Sequence, residues 1–208
     1  MLTRRSILIS STAVLALLAT GLGSGAAHAA AGSPEAARSF VDATGKALVA
    51  VVNGGGSVAQ RQPAMTSIIE RDVDVAEVAR FCLGVFWRRA TPAQQQTYTE
   101  LFHHVLVENI TVKIGDFQGV GFTLGRAAPR EGDIAVSSTV TRPGNAPNHV
   151  DWIVSFSSGA PKIVDVVAEG TSLRLTQRSD YLSYLARNGN NIDALIAAMR
   201  RQAKAMPG

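Results

Sequence analysis

Few side chains in this sequence are of a kind that does chemistry, and their spacing argues against most reactions. His103 and His104 are neighbours in a segment with helical periodicity. They would point roughly 100° apart and could not close on one metal ion. No His-Glu-x-x-His run and no cysteine cluster accompanies them, so a zinc site is not expected. His149 falls on the polar face of a strand-like stretch. Cys82, the single cysteine, lies between Phe81 and Leu83 with nothing nearby to lower its pKa, and reads as a buried, inert thiol. There is no Gly-x-Ser-x-Gly elbow and no phosphate-cradling glycine loop; Gly119-Val120-Gly121 reads as a bend.

The polar residues that demand an account are Asp165 and Glu169, with Arg174 and Arg178 just beyond. A carboxylate midway along an apolar strand must be paired, hydrogen-bonded or protonated. An Asp165–Arg178 bridge tying the C-terminal helices to the sheet is the structural expectation. Two functional readings stand beside it: Asp165 as a general base in an apolar pocket, or the arginines as headgroup contacts.

The elements that would position these residues change period half-way along the chain. Ser33-Pro34-Glu35 opens a first helix, and Asn53-Gly54-Gly55-Gly56 ends it, cap, first-turn Pro and acid in the expected order. A short helix over Val58 to Glu70 is expected to be interrupted near Pro63. Asp74, with Glu77 as reciprocal partner, caps a third, and Thr91-Pro92-Ala93-Gln94 starts the longest. Beyond residue 119 apolar residues alternate, at Val120, Phe122 and Leu124, at Ile134, Val136 and Val140, and at Val150, Trp152, Val154 and Phe156. Ile163 to Ala168 is apolar on most positions, as a central strand would be. Turn clusters at 129–133, 142–145 and 157–159 make these a four-stranded antiparallel meander. Helices over 179–187 and 192–205 close the chain. Helices first and a meander second give an α+β fold, with the long helix from Pro92 as the expected cover of the sheet's apolar face.

The chain has 208 residues, 46% hydrophobic and 17% charged, a size and balance that suit one globular domain. Met1 to Arg5 is basic, Ile7 to Leu18 is apolar, and Ala27-His28-Ala29 fits a peptidase site, so residues 1–29 read as a cleavable signal peptide and 30–208 as one domain. Thr3-Arg4-Arg5-Ser6 also fits a twin-arginine signal, which leaves the export route open. Arg4 and Arg5 supply two of the four net positive charges, leaving +2 on the remainder. No Lys/Arg-rich run follows, so nucleic acid is not an expected partner.

Several separated stretches carry a resemblance. Asp72-Val73-Asp74-Val75-Ala76-Glu77-Val78-Ala79-Arg80-Phe81-Cys82-Leu83-Gly84, then Phe86-Trp87-Arg88 and Ala90-Thr91-Pro92, resemble the Mla/toluene-tolerance family of periplasmic phospholipid-binding proteins. So do Val150-Asp151-Trp152, Lys162 to Val166, Glu169-Gly170-Thr171-Ser172-Leu173 and Gln177-Arg178-Ser179. Cys82 stands where an aliphatic is usual and Thr171 where Val is usual. The resemblance implies a nuclear-transport-factor-like, cystatin-like cone enclosing an apolar pocket for acyl tails, in a monomeric periplasmic carrier that needs no cofactor and is not an enzyme. It also implies partners, an inner-membrane ABC transporter complex and an outer-membrane lipoprotein–porin complex. A branch of the family linked to hopanoid synthesis leaves a polycyclic lipid open as the cargo. An isomerase-like enzyme using Asp165 and a non-lipid adaptor are the other readings.

A carrier must offer apolar burial that matches its cargo, since each acyl methylene kept from water is worth roughly 0.8 kcal/mol. The expected wall residues are Phe86, Trp87, Tyr98, Leu101, Phe102, Val105, Ile110, Phe117, Phe122, Val136, Val140, Trp152, Val154 and Val166. Each of them could equally belong to a filled core.

Overall fold

In a computed structural model, residues 32–115 and 119–205 are described. The expected signal peptide and Phe117 lie outside these residues. The elements run α1 (Pro34–Asn53), α2 (Val58–Asp72), α3 (Val75–Leu83), a 3-10 segment (Gly84–Arg89) and α4 (Pro92–Gly115). Then come β1 (Gly121–Arg130), β2 (Asp133–Thr141), β3 (Asn148–Ser155), β4 (Lys162–Ala168), β5 (Thr171–Ser172), α5 (Leu173–Arg187) and α6 (Ile192–Ala205). The α+β expectation holds. The sheet is an antiparallel meander in the order β1-β2-β3-β4-β5, so a two-residue fifth strand joins the four expected.

The helix starts follow the capping chemistry in the sequence. Ser33 accepts from Ala36 N, and Thr91 and Gln94 exchange two hydrogen bonds in a complete capping box. Asp74 accepts from Glu77 N at 3.0 Å, but the Glu77 carboxylate turns to Arg80 at 2.7 Å instead of closing the box. α2 runs unbroken through Pro63. Pro63 sits in the helix's second turn, where the ring removes one backbone donor and the capping box of Ser57 and Gln60 holds the turn before it. α5 begins six residues earlier than expected, because Ser172 caps it by accepting from Leu175 N.

Packing divides the described helices into two groups. Tyr98 and Phe102 of α4 tilt against each other and both meet Tyr181 of α5 edge-on, inside a cluster with Cys82, Leu83, Leu185, Leu195 and Met199. α1 lies over β1 and β2, with Ala37 and Val41 against Ile134, Val136 and Val154. The cover of the sheet is therefore α1, where α4 was expected. α4 directs its aromatic side to α3, α5 and α6, whereas α1 presents small residues that let it sit close. At Gly45 of α1 a Cβ would fall 2.5 Å from the Phe122 ring. Asn53 fastens the end of α1 to the start of β1, accepting from Gly119 N and Val120 N and donating to Val120 O.

Candidate functional site

The register of the meander decides which residues share a surface. Phe122 pairs with Val140, Val136 with Trp152, and Trp152 with Val166. Residues directly opposite one another point to the same side, so Phe122, Leu124, Val136, Val140, Val150, Trp152, Val154 and Val166 form one apolar face. Under α1 that face is closed: Val136 and Val154 are 0% exposed. Beside α1 it is only half-buried, at Val140, Val150, Trp152 and Val166.

Trp152 is the largest side chain of this open part. Its ring meets Phe122 edge-on at 6.3 Å. Its indole Nε1 donates to Ser138 Oγ at 2.9 Å, and Ser138 Oγ donates on to Val150 O. The polar atoms of the face are thus satisfied from within, and what remains for an occupant is hydrocarbon and aromatic surface. Such a surface can take an occupant by apolar burial.

Six of the expected wall residues (Phe122, Val136, Val140, Trp152, Val154 and Val166) come together on this face. Phe86, Trp87, Tyr98, Leu101 and Phe102 lie in or against the helical cluster instead. Tyr98 is fully buried and donates to Ala79 O at 3.0 Å; burial and the neighbouring Tyr181 push its hydroxyl well above the usual tyrosine range. Ile110 packs with Met65, Ile69 and Val107 between α2 and α4. Val105 is buried on α4. Ser138, Leu124 and Val150 join the face without having been expected; their inward positions in the strand alternation carried the signal.

Asp165 sits next to this face but not on it. It pairs with Ile153 while its neighbour Val166 pairs with Trp152, so the carboxylate points to the other side of the sheet. There it accepts from Val166 N, Ser172 Oγ and Arg174 N. Arg174 Nε stands 3.5 Å from its second oxygen, a charge contact without hydrogen-bond geometry. The expected bridge to Arg178 is absent: Arg178 donates to Phe81 O at 2.7 Å and lies over the Phe81 ring. The shorter path to Asp165 belongs to Arg174, at the start of α5. A carboxylate so occupied ties strands to helix and has little capacity left to take a proton from a substrate.

The remaining candidates are structural. Cys82 is 0% exposed, and burial pushes its thiol up to about 12 despite the two nearby arginines. His103 Nε2 stands 3.6 Å from Glu70 and His104 Nε2 3.9 Å from Glu108, both beyond hydrogen-bond distance. Among the described residues no group of three or more His, Cys, Asp or Glu could hold a metal ion.

The family model for the MlaC protein matches residues 34–201, which takes in every described helix but the end of α6 and the whole sheet. The chain belongs to the MlaC family. The toluene tolerance protein ttg2D of Pseudomonas putida is 26% identical over 135 residues, spanning 64% of this chain and 63% of that protein. A phospholipid-binding protein of Ralstonia solanacearum, solved in complex with a phospholipid, superposes with a TM-score of 0.70 at 20% identity. That likeness covers 82% of this chain and 98% of the other, and shows that the MlaC-type fold is shared.

Proposed function

We propose that this MlaC-family chain is a periplasmic lipid carrier which shields phospholipid acyl chains against the open part of its sheet face. The observation that carries the reading is the contrast along that face. Val136 and Val154 are sealed by α1, while Trp152, Val140 and Val166 of the same face are only half-buried, with the Trp152 indole already satisfied by Ser138. Half-exposed apolar surface of this kind is stabilised by a hydrocarbon occupant, at about 25 cal/mol per Å² removed from water. The relatives support the reading, one being a toluene tolerance protein and another a protein solved with a phospholipid.

A carrier also has to leave the membrane, and among the described residues no helix is long and apolar enough to cross one. The expected export signal over 1–29 would deliver the domain 30–208 to the periplasm. In this reading its partners are an inner-membrane ABC transporter complex that exchanges lipid with it and an outer-membrane lipoprotein–porin complex. No catalytic step is assigned, because Asp165 is occupied on the opposite side of the sheet.

Native mass spectrometry of protein purified from the periplasm without detergent tests the proposal. The expected result is one phospholipid per chain, lost in Val140→Glu while far-ultraviolet circular dichroism stays unchanged. A mass matching a hopanoid would keep the mechanism and change the cargo. A lipid-free chain that also takes up no added phospholipid would remove the carrier reading.

A further inference from the structure

A second surface, away from the apolar sheet face, combines exposed hydrocarbon with fixed positive charge. Among the described residues four large hydrophobic side chains are strongly exposed, and three of them, Val85, Leu173 and Leu175, belong to the 3-10 segment and the first turn of α5. Between α3 and the 3-10 segment, with Arg178 of α5 at its side, runs an open groove of about 390 Å³, with Phe81, Val85 and Trp87 as its apolar part. Arg80, Arg88 and Arg178 line it too; Glu77, the one carboxylate among its lining residues, is paired with Arg80 at 2.7 Å, which leaves Arg88 and Arg178 to face a partner.

Arg178 of the groove is held in place, whereas Arg88 is exposed at its rim. Arg178 is anchored through Phe81 O, stacks 5.0 Å from the Phe81 ring centroid, and rests over Gly84. Gly84 has φ +60°, and a Cβ there would come within 2.9 Å of Arg178 Nη2, so backbone shape and glycine together make the seat. Arg174 stacks on the same ring at 4.4 Å, between Leu173 and Leu175 in sequence. A planar, immobilised guanidinium suits a carboxylate, which it can meet with two parallel hydrogen bonds. A bilayer is better served by long, freely snorkelling side chains on a convex surface.

We propose that this groove is the docking site for an acidic, apolar segment of a protein partner, with carboxylates on Arg88 and Arg178 and an aliphatic or aromatic side chain against Phe81 and Val85. The sheet face that holds lipid is a separate surface, so docking and lipid carriage can fail independently.

The test places p-benzoylphenylalanine at Val85 of the full chain in its own cells, irradiates them, and sequences the cross-linked segment by mass spectrometry. The same probe at Glu131, at the tip of the β1–β2 turn, is the control. A protein segment rich in Asp or Glu, captured from Val85 but not from Glu131, is the expected product. A synthetic peptide of that segment should then bind roughly tenfold more weakly to Arg88→Glu, with the lipid content of the variant unchanged by native mass spectrometry. Cross-links to phospholipid alone, to segments without acidic residues, or to nothing would overturn the proposal. Peptide binding indifferent to Arg88→Glu would overturn it as well.

Discussion

The helical cluster around Tyr98 and the sheet face around Trp152 are both aromatic and both apolar, yet they are finished to different degrees. In the first, Tyr98, Leu83, Leu185 and Cys82 are 0% exposed and Met199 is 1% exposed, and Tyr98 meets four partners through its ring or hydroxyl. In the second, Val136 and Val154 are equally buried, but the face runs on past α1 into half-buried Trp152, Val140 and Val166. A filled core owes its stability to the chain's own side chains, whereas an unfinished face leaves burial for a guest. Cutting back either region should cost stability, but only the sheet face should lose lipid as well.

The strongest response should come from Leu185→Ala. Leu185 is fully enclosed by the helical cluster, so the variant should lose about 3 kcal/mol in a urea denaturation experiment, with lipid stoichiometry intact. A loss below about 1 kcal/mol would mean that this cluster is not a packed core. Trp152→Ala comes next. Its half-exposed ring predicts a smaller loss, about 2 kcal/mol, together with a lipid-free mass. If Trp152→Ala still carried lipid at full occupancy, the open face would not be the site.

Gly45→Ala probes the boundary between the two behaviours. The new Cβ would lie 2.5 Å from the Phe122 ring, which is itself only half-buried and can yield. A cost of about 1 kcal/mol is expected, with lipid affinity altered because Phe122 is pressed toward Trp152. Unchanged stability and unchanged binding together would show that α1 does not press on the face as described.

The legibility of these features in the sequence followed the range of the interactions behind them. Caps and turns are local, and Ser33, Asp74 and Thr91 each stand at a helix start as expected. Strand alternation is local too, and six of the expected wall residues share one face. Which helix covers that face is not local. The long α4 has the more prominent aromatic stripe, yet α1 is the cover, because Ala37, Val41 and Gly45 permit close approach where Tyr98 and Phe102 would not. Hence Tyr98 and Phe102, expected in the wall, lie in the helical cluster. The partner of Asp165 differs from the expected Arg178 for another reason, a local cap that the apolar pattern of the segment hides. The early start of α5 at Leu173, set by the Ser172 cap, brings Arg174 to the carboxylate and leaves Arg178 to Phe81.

The smallest perturbation compares the two regions with one chemical reagent. Cys82, in the helical cluster, has its thiol pushed up from 9.0 to about 12 by burial. Below pH 9 the thiol is neutral whether the chain is folded or not, and burial carries no ionisation penalty. Between 9 and about 12 the unfolded chain ionises and the folded one resists, so this group makes the protein progressively less stable as pH rises through that window. At pH 8 folded protein should thus leave Cys82 unlabelled by iodoacetamide over hours. In a Cys82→Ala background, Val140→Cys moves the same thiol to the open face at a cost within about 1 kcal/mol. That thiol should label readily in delipidated protein and at least tenfold more slowly when lipid is bound, since a reagent that needs thiolate and water loses both beneath an acyl chain. Equal labelling rates with and without lipid would place the lipid elsewhere, and rapid labelling of Cys82 would show that the helical cluster opens as readily as the face.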